Sequence, residues 1–180
     1  RTADIDGNVY KEIAIGGQTW MQENLNVSCY RNGEPVRHAK TDAEWLDAAS
    51  RGEGAWCYYN NDPSNGARYG RLYNWYAIND PRGLAPEGWR IPNDGDWETL
   101  IEKLGGEALA GGKMKTAGNQ AWADPNQGAD GSSRFDAQPG VNETLDPAPG
   151  VVGQLPGAVD IGIQFVHFQT AGVDQDFRGG

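Results

Sequence analysis

The run Trp56-Cys57-Tyr58-Tyr59-Asn60-Asn61-Asp62 brings together what a sugar ring asks of a protein. Indole and phenol faces stack on the apolar faces of a pyranose, and amide and carboxylate side chains exchange hydrogen bonds with its hydroxyls. Trp56, Tyr58, Tyr59, Asn60, Asn61 and Asp62 are therefore the candidate ligand-binding residues. The same run also reads as a core strand entering an Asx turn ahead of Pro63.

A second chemistry is oxygen ligation. Asp124, Asn126 and Asp130 share one loop, and Glu143 and Asp146 follow. Calcium takes roughly six to eight oxygens from such side chains, which makes these five the candidate metal ligands. Their spacing matches no defined calcium loop, and an acidic solvated loop is the competing reading. No other cofactor is required.

Catalysis finds less support. Asp94, Asp96 and Glu98 resemble a carboxylate cluster, but they fall in the first turn of an expected helix, where acids complement the dipole. His38 and His167 have no neighbours that suggest a triad, and without HExxH or CxxC zinc has no ligand set. The expectation is a protein that is not an enzyme. The two cysteines, Cys29 and Cys57, are expected to form one disulfide if the chain is exported, with two buried free thiols as the alternative. Arg1 opens the chain without an initiator Met or an apolar leader, which fits a mature exported form or a trimmed one.

Composition narrows the partners. The net charge is −10 over 180 residues, a poor match to nucleic acid or an anionic membrane surface, which need clustered Lys and Arg. No apolar run approaches the roughly 20 residues of a membrane span. Twenty-six Gly and ten Pro beside seven Trp and seven Tyr describe a turn-rich domain with an aromatic core. All the Trp and Tyr lie between Tyr10 and Trp122, and the stretch from Ala123 is acidic. That stretch reads as a long-looped extension, because so much Gly and Pro makes a weak separate core.

The elements that must position these residues are short. Asp6-Gly7 makes a turn, Val9–Ile15 a strand, Gly16-Gly17 a second turn and Gln18–Met21 the returning strand. Thr41 and Glu44 have capping-box spacing ahead of a helix through Ala49. Residues 69–78 read as a helix or a strand, and the spacing of Leu72, Trp75 and Tyr76 favours the helix. Asn93 caps a helix over 94–104, with Trp97, Leu100, Ile101 and Leu104 on one face. Val159, Ile161, Ile163 and Phe165 alternate as a strand. Trp20, Trp75, Trp89 and Trp97 are expected in the core. The class is α+β, with short antiparallel strands, two to three helices and long loops.

Several segments, in order, resemble one family. DIDGNVYKEIAIGGQTWMQENLN, WCYYNND, YGRLYNWYAIND, APEGWRIPNDGDWETLIEKLGG, AGGKMK and FDAQPG are similar to the Fibrobacter succinogenes major paralogous domain, a family of secreted bacterial modules. The resemblance covers about residues 4–140 and implies a C-type-lectin-like fold, distantly similar to formylglycine-generating enzymes. Those enzymes depend on late cysteines, and this chain has none after Cys57. The family commonly carries a Cys where Ala85 stands and another in a closing strand, and both are missing here. Residues 141–180 are a divergent extension, part of the same domain or an assembly element.

The expected function is a non-catalytic module, extracellular or on the bacterial surface, that binds carbohydrate or another surface ligand. The alternative is a structural subunit of a self-assembling extracellular filament or surface layer, associating with copies of itself by strand exchange. Val9, Ile13 and Ile15 of the hairpin and Val159, Ile161, Ile163 and Phe165 of the extension would carry that assembly, because an unpaired strand edge invites association. Within one chain, the Val159–Phe165 strand would instead cover the hairpin edge itself.

Overall fold

The computed structural model describes residues 1–118, 126 and 128–137, together with the backbone of 169–170. The chain opens with two successive hairpins. Strand β1 (Thr2–Ala3) pairs antiparallel with β2 (Val9–Tyr10) around the Asp6-Gly7 turn. Strand β3 (Glu12–Ile15) pairs with β4 (Gln18–Met21), Ile13 opposite Trp20. Gly16 and Gly17 close the second hairpin at φ 59° and 89°, a double left-handed turn that matches the twist of the flanking strands. The expected strand over 9–15 is thus broken at Lys11, and its two pieces serve different sheets.

Strand β5 (Arg37–His38) leads into helix α1 (Asp42–Ser50). Thr41 caps α1 by accepting from the Glu44 amide, while the Glu44 carboxylate reaches one residue further back, to the Lys40 amide. Strand β6 (Ala55–Cys57) follows and pairs parallel with β5.

The helix expected over 69–78 does not exist as one element. The segment divides into the end of α2 (Gly66–Tyr69), strand β7 (Leu72–Tyr73) and helix α3 (Trp75–Ile78). Gly70, at φ 67°, turns the chain out of α2, and β7 pairs antiparallel with β6. The buried Asn74 then makes both the strand and the next helix possible. Its Oδ1 accepts from the amides of Ala55 and Ala77, and its Nδ2 donates to the Glu53 carbonyl.

Strand β8 (Trp89–Arg90) precedes α4 (Asp94–Lys103), close to its expected span, and α5 (Glu107–Met114) follows. Asn93 and Asp96 form a reciprocal capping box at the start of α4. Strand β9 (Gln169–Thr170) lies between β4 and β8, giving the order β3-β4-β9-β8. Val159–Phe165, the stretch expected to cover the hairpin, lies outside the described residues. Gln169–Thr170 pairs with β4 at Trp20.

Two clusters form most of the core. Tyr10, Met21, Leu25, Tyr30, Tyr73 and Trp89 are at the heart of one. Trp20 centres the other, where it meets Leu100 and Leu104 of α4, Met114 of α5 and Phe135. Trp97 tilts against Trp20 at 4.9 Å and Phe135 meets it edge-on at 5.8 Å. Trp20, Trp89 and Trp97 thus pack as expected, but Trp75 does not: it is 48% exposed. On the short α3 it is Ala77 that faces inward, which turns Trp75 out. The class is α+β as expected, but the described residues form five α-helices rather than two to three, and β5 pairs with β6 parallel rather than antiparallel.

Candidate functional site

The strands β5, β6 and β7 bring His38, Trp56 and Arg71 side by side. The His38 imidazole lies flat on Trp56, 3.8 Å between centroids and 7° from parallel. The Arg71 guanidinium stands 4.2 Å from the Trp56 centroid. Tyr58 meets Trp56 edge-on at 5.1 Å. Arg71 is further held by the Asn26 carbonyl and lies near Asp6 at 3.8 Å. Trp56 is only 5% exposed, so its faces are occupied by protein. Its expected stacking on a sugar is corrected by this geometry: β6 is the middle strand of its sheet, and neighbours on both flanks fill the space a ligand would need.

The rest of the candidate run turns outward. Tyr59 is half-buried and meets Tyr69 edge-on at 5.7 Å, with the Arg68 guanidinium 5.0 Å from the Tyr69 centroid. Asn60 and Asn61 are exposed, and both have φ near 55°, a left-handed conformation that asparagine tolerates better than most residues. Asn61 Nδ2 donates to Asp42 Oδ1 at 2.9 Å, which ties this loop to the start of α1. Asp62 caps the following 3-10 turn by accepting from the Ser64 amide. Asn65 Nδ2 donates to the Tyr59 carbonyl. The Asx-turn reading of 60–62 is thus observed, and it leaves Asn60, Asn61 and Asp62 at the surface.

The other end of α1 carries a feature the sequence did not single out. Trp75 and the 37% exposed Tyr76 stand edge-to-face, 5.6 Å between centroids and 87° between planes. Tyr76 lies over Gly52, just past the C-terminal cap of α1: a Cβ built there would sit 3.5 Å from the ring. That distance is ordinary contact, and it is the φ of 68° at Gly52 that a larger residue would strain. The Tyr-Asn-Trp-Tyr run held the only hint, since two large aromatics in succession on a helix cannot both face one core.

The ordered motifs from the first hairpin to Phe135 now have a common frame. The model of the Fibrobacter succinogenes major domain matches residues 13–148, about three quarters of the chain. The chain belongs to that family. No curated protein and no solved structure matches it.

Within this Fibrobacter succinogenes major domain the two cysteines are free, which corrects the expected disulfide. Cys29 bridges to Pro35 and lines a cleft beside Ala85, whereas Cys57 sits on β6 opposite Leu72 and near Asp42. Each thiol has its own neighbours and neither is placed against the other. Burial pushes the Cys57 thiol up to about 12, with Asp42 adding to the effect.

The carboxylates also have structural employment. Asp96 pairs with the Arg90 guanidinium through both oxygens and accepts from the Asn93 amide. Burial pushes its pKa up, but Arg90 and the Asn93 amide more than offset this and hold it below the ordinary carboxylate range. Of the candidate calcium ligands, Asn126 and Asp130 are described. Asn126 Nδ2 donates to the carbonyls of Thr116 and Gly118, and Asp130 accepts from the Ser132 amide. No group of three or more metal-binding side chains occurs among the described residues. Asp124, Glu143 and Asp146 lie outside them. Among the described residues no helix is long and apolar enough to cross a membrane.

Of the assembly residues, Val9 is exposed, while Ile13 and Ile15 pack half-buried against the Trp20 cluster. Ile161, Ile163 and the ends of their expected strand, Val159 and Phe165, lie outside the described residues.

Proposed function

We propose that this domain is a non-catalytic recognition module that binds carbohydrate through Trp75 and Tyr76. The observation that carries the reading is the exposure of that pair. A solvent-facing tryptophan beside a solvent-facing tyrosine is costly in water and suits a ligand with an apolar face. An edge-to-face pair presents two surfaces at right angles, one under a pyranose ring and one along its rim. The Asn60–Asp62 loop at the opposite end of α1 adds exposed amides and a carboxylate for a longer chain of sugars.

The non-catalytic part of the reading draws support from the commitment of Asp96 and His38 to structural contacts. A C-type-lectin-like architecture is part of the same proposal, supported by the return of Gln169–Thr170 to the N-terminal hairpin. So is an extracellular or cell-surface location, which rests on the family resemblance. The pairing of β9 with β4 within one chain argues against strand exchange at that hairpin edge.

Affinity electrophoresis in gels containing soluble xylan, mannan or mixed-linkage glucan tests the reading. At least one polysaccharide should retard the wild-type protein, and Trp75→Ala should restore free mobility while leaving the fold intact by near-ultraviolet dichroism. Retardation that survives Trp75→Ala, or none in any gel, would refute it.

A further inference from the structure

The first hairpin forms one lip of a cleft of about 250 Å³. Its floor is Val27, Leu84, Ala85 and Pro86, all methyl and methylene surface with no aromatic face. Its lip is unusual. Ile5 is 51% exposed and Val9 60%. Ala3 pairs directly with Val9 across the hairpin, so their side chains share a side of the ribbon, and Ala3 and the turn residue Ile5 both line the cleft. A hollow and a raised apolar ridge therefore lie on the same face of the molecule.

The polar groups at this place are mostly spent or peripheral. Asp4 is buried and accepts from the Tyr10 hydroxyl at 2.5 Å and from Asn8. Arg31 donates from Nε and an Nη to the Ala85 carbonyl, at 3.0 and 2.9 Å, and so fixes the far wall. Arg31 and Glu87 are both exposed on the rim. Among the described residues the rim thus carries one cation, Arg31, and one exposed anion, Glu87.

We propose that a second copy of this chain docks here, in a two-fold arrangement with the Ile5–Val9 ridge of each copy seated in the cleft of the other. An isologous interface needs a patch complementary to itself. This face supplies it twice: ridge against hollow, and Arg31 of one copy towards Glu87 of the other. Among the described residues the cleft has no aromatic platform, which disfavours a sugar, and one rim cation, which disfavours nucleic acid. The proposal is independent of the carbohydrate reading, since Trp75 and Tyr76 take no part in it.

Sedimentation velocity over about 10 µM to 1 mM protein reads the association directly. The wild type should dimerise in that range. Ile5→Asp and Glu87→Arg, both at exposed positions, should each weaken the dimer by about tenfold or more. Leu109→Asp, at an exposed leucine of α5, should leave it unchanged. A wild type that stays monomeric throughout overturns the proposal. So does a dimer indifferent to Ile5→Asp and Glu87→Arg, or one weakened equally by Leu109→Asp.

Discussion

Gly70 and Leu25 approach so closely that no side chain fits between them: a Cβ built on Gly70 would lie 2.6 Å from the Leu25 carbonyl oxygen. Gly70 also has φ 67°, so a substitution meets both a steric and a conformational penalty. Gly70→Ala should cost about 2 kcal/mol or more, read as a fall in the urea midpoint without a change in slope.

His38 should make the fold acid-sensitive. Burial, then Lys40 and Arg71, hold its imidazole below the ordinary histidine range, against a smaller opposite pull from Glu44. The neutral ring is the native form, and the unfolded chain takes up its proton first as pH falls. This stability is therefore fully present above the ordinary histidine value. It is lost as pH drops from there towards the folded value. Urea unfolding of wild type and His38→Gln at pH 5 to 8 should show a shallower dependence in the variant. Identical slopes would exclude the effect.

Asp96→Ala removes both the capping box and the partner of Arg90. Arg90 is partly exposed, so its charge is screened and the loss is mostly that of the cap and its hydrogen bonds. A destabilisation of about 2 kcal/mol is expected. The wild-type carboxylate has a depressed folded value, so its contribution is present above the ordinary carboxylate range and fades as pH falls through the folded value. Thermal unfolding at neutral pH and at pH 3 should show the variant and wild type converging in acid.

The thiols offer a chemical check. Unreduced protein should alkylate at two cysteines once unfolded. In the native state Cys29, beside the cleft, should react with Ellman's reagent well before Cys57, whose thiol is buried and raised to about 12. A native mass two hydrogens light would restore the disulfide.

Local chemistry was legible in the sequence where one residue decides it. Asn93 and the apolar face from Trp97 to Leu104 announced α4, and Gly16-Gly17 announced the second hairpin. The 69–78 segment misled because Leu72, Trp75 and Tyr76 keep helical spacing although Leu72 lies on a strand and Trp75 and Tyr76 on the next helix. Only the pairing of Leu72 with Cys57, fifteen residues away, explains the break. At the candidate site the sequence offered both a sugar platform and a core strand, and could not choose because it does not show that His38 and Arg71 arrive on both flanks of Trp56. Trp75 looked buried because sequence does not say which way a one-turn helix points.

The position of β9 has a consequence for how the molecule comes into being. Its residues are the last to be made of any described strand, yet they occupy the gap between Trp20 and Trp89. The sheet therefore closes only when a residue 149 positions beyond Trp20 has been delivered. Contacts at such sequence separation are slow to form, because the intervening chain must first be confined. Until then the nascent chain holds two aromatic strands with bare backbone facing each other. A ribosome-bound intermediate of this kind is open to premature association and to capture by chaperones, and the finished domain is not.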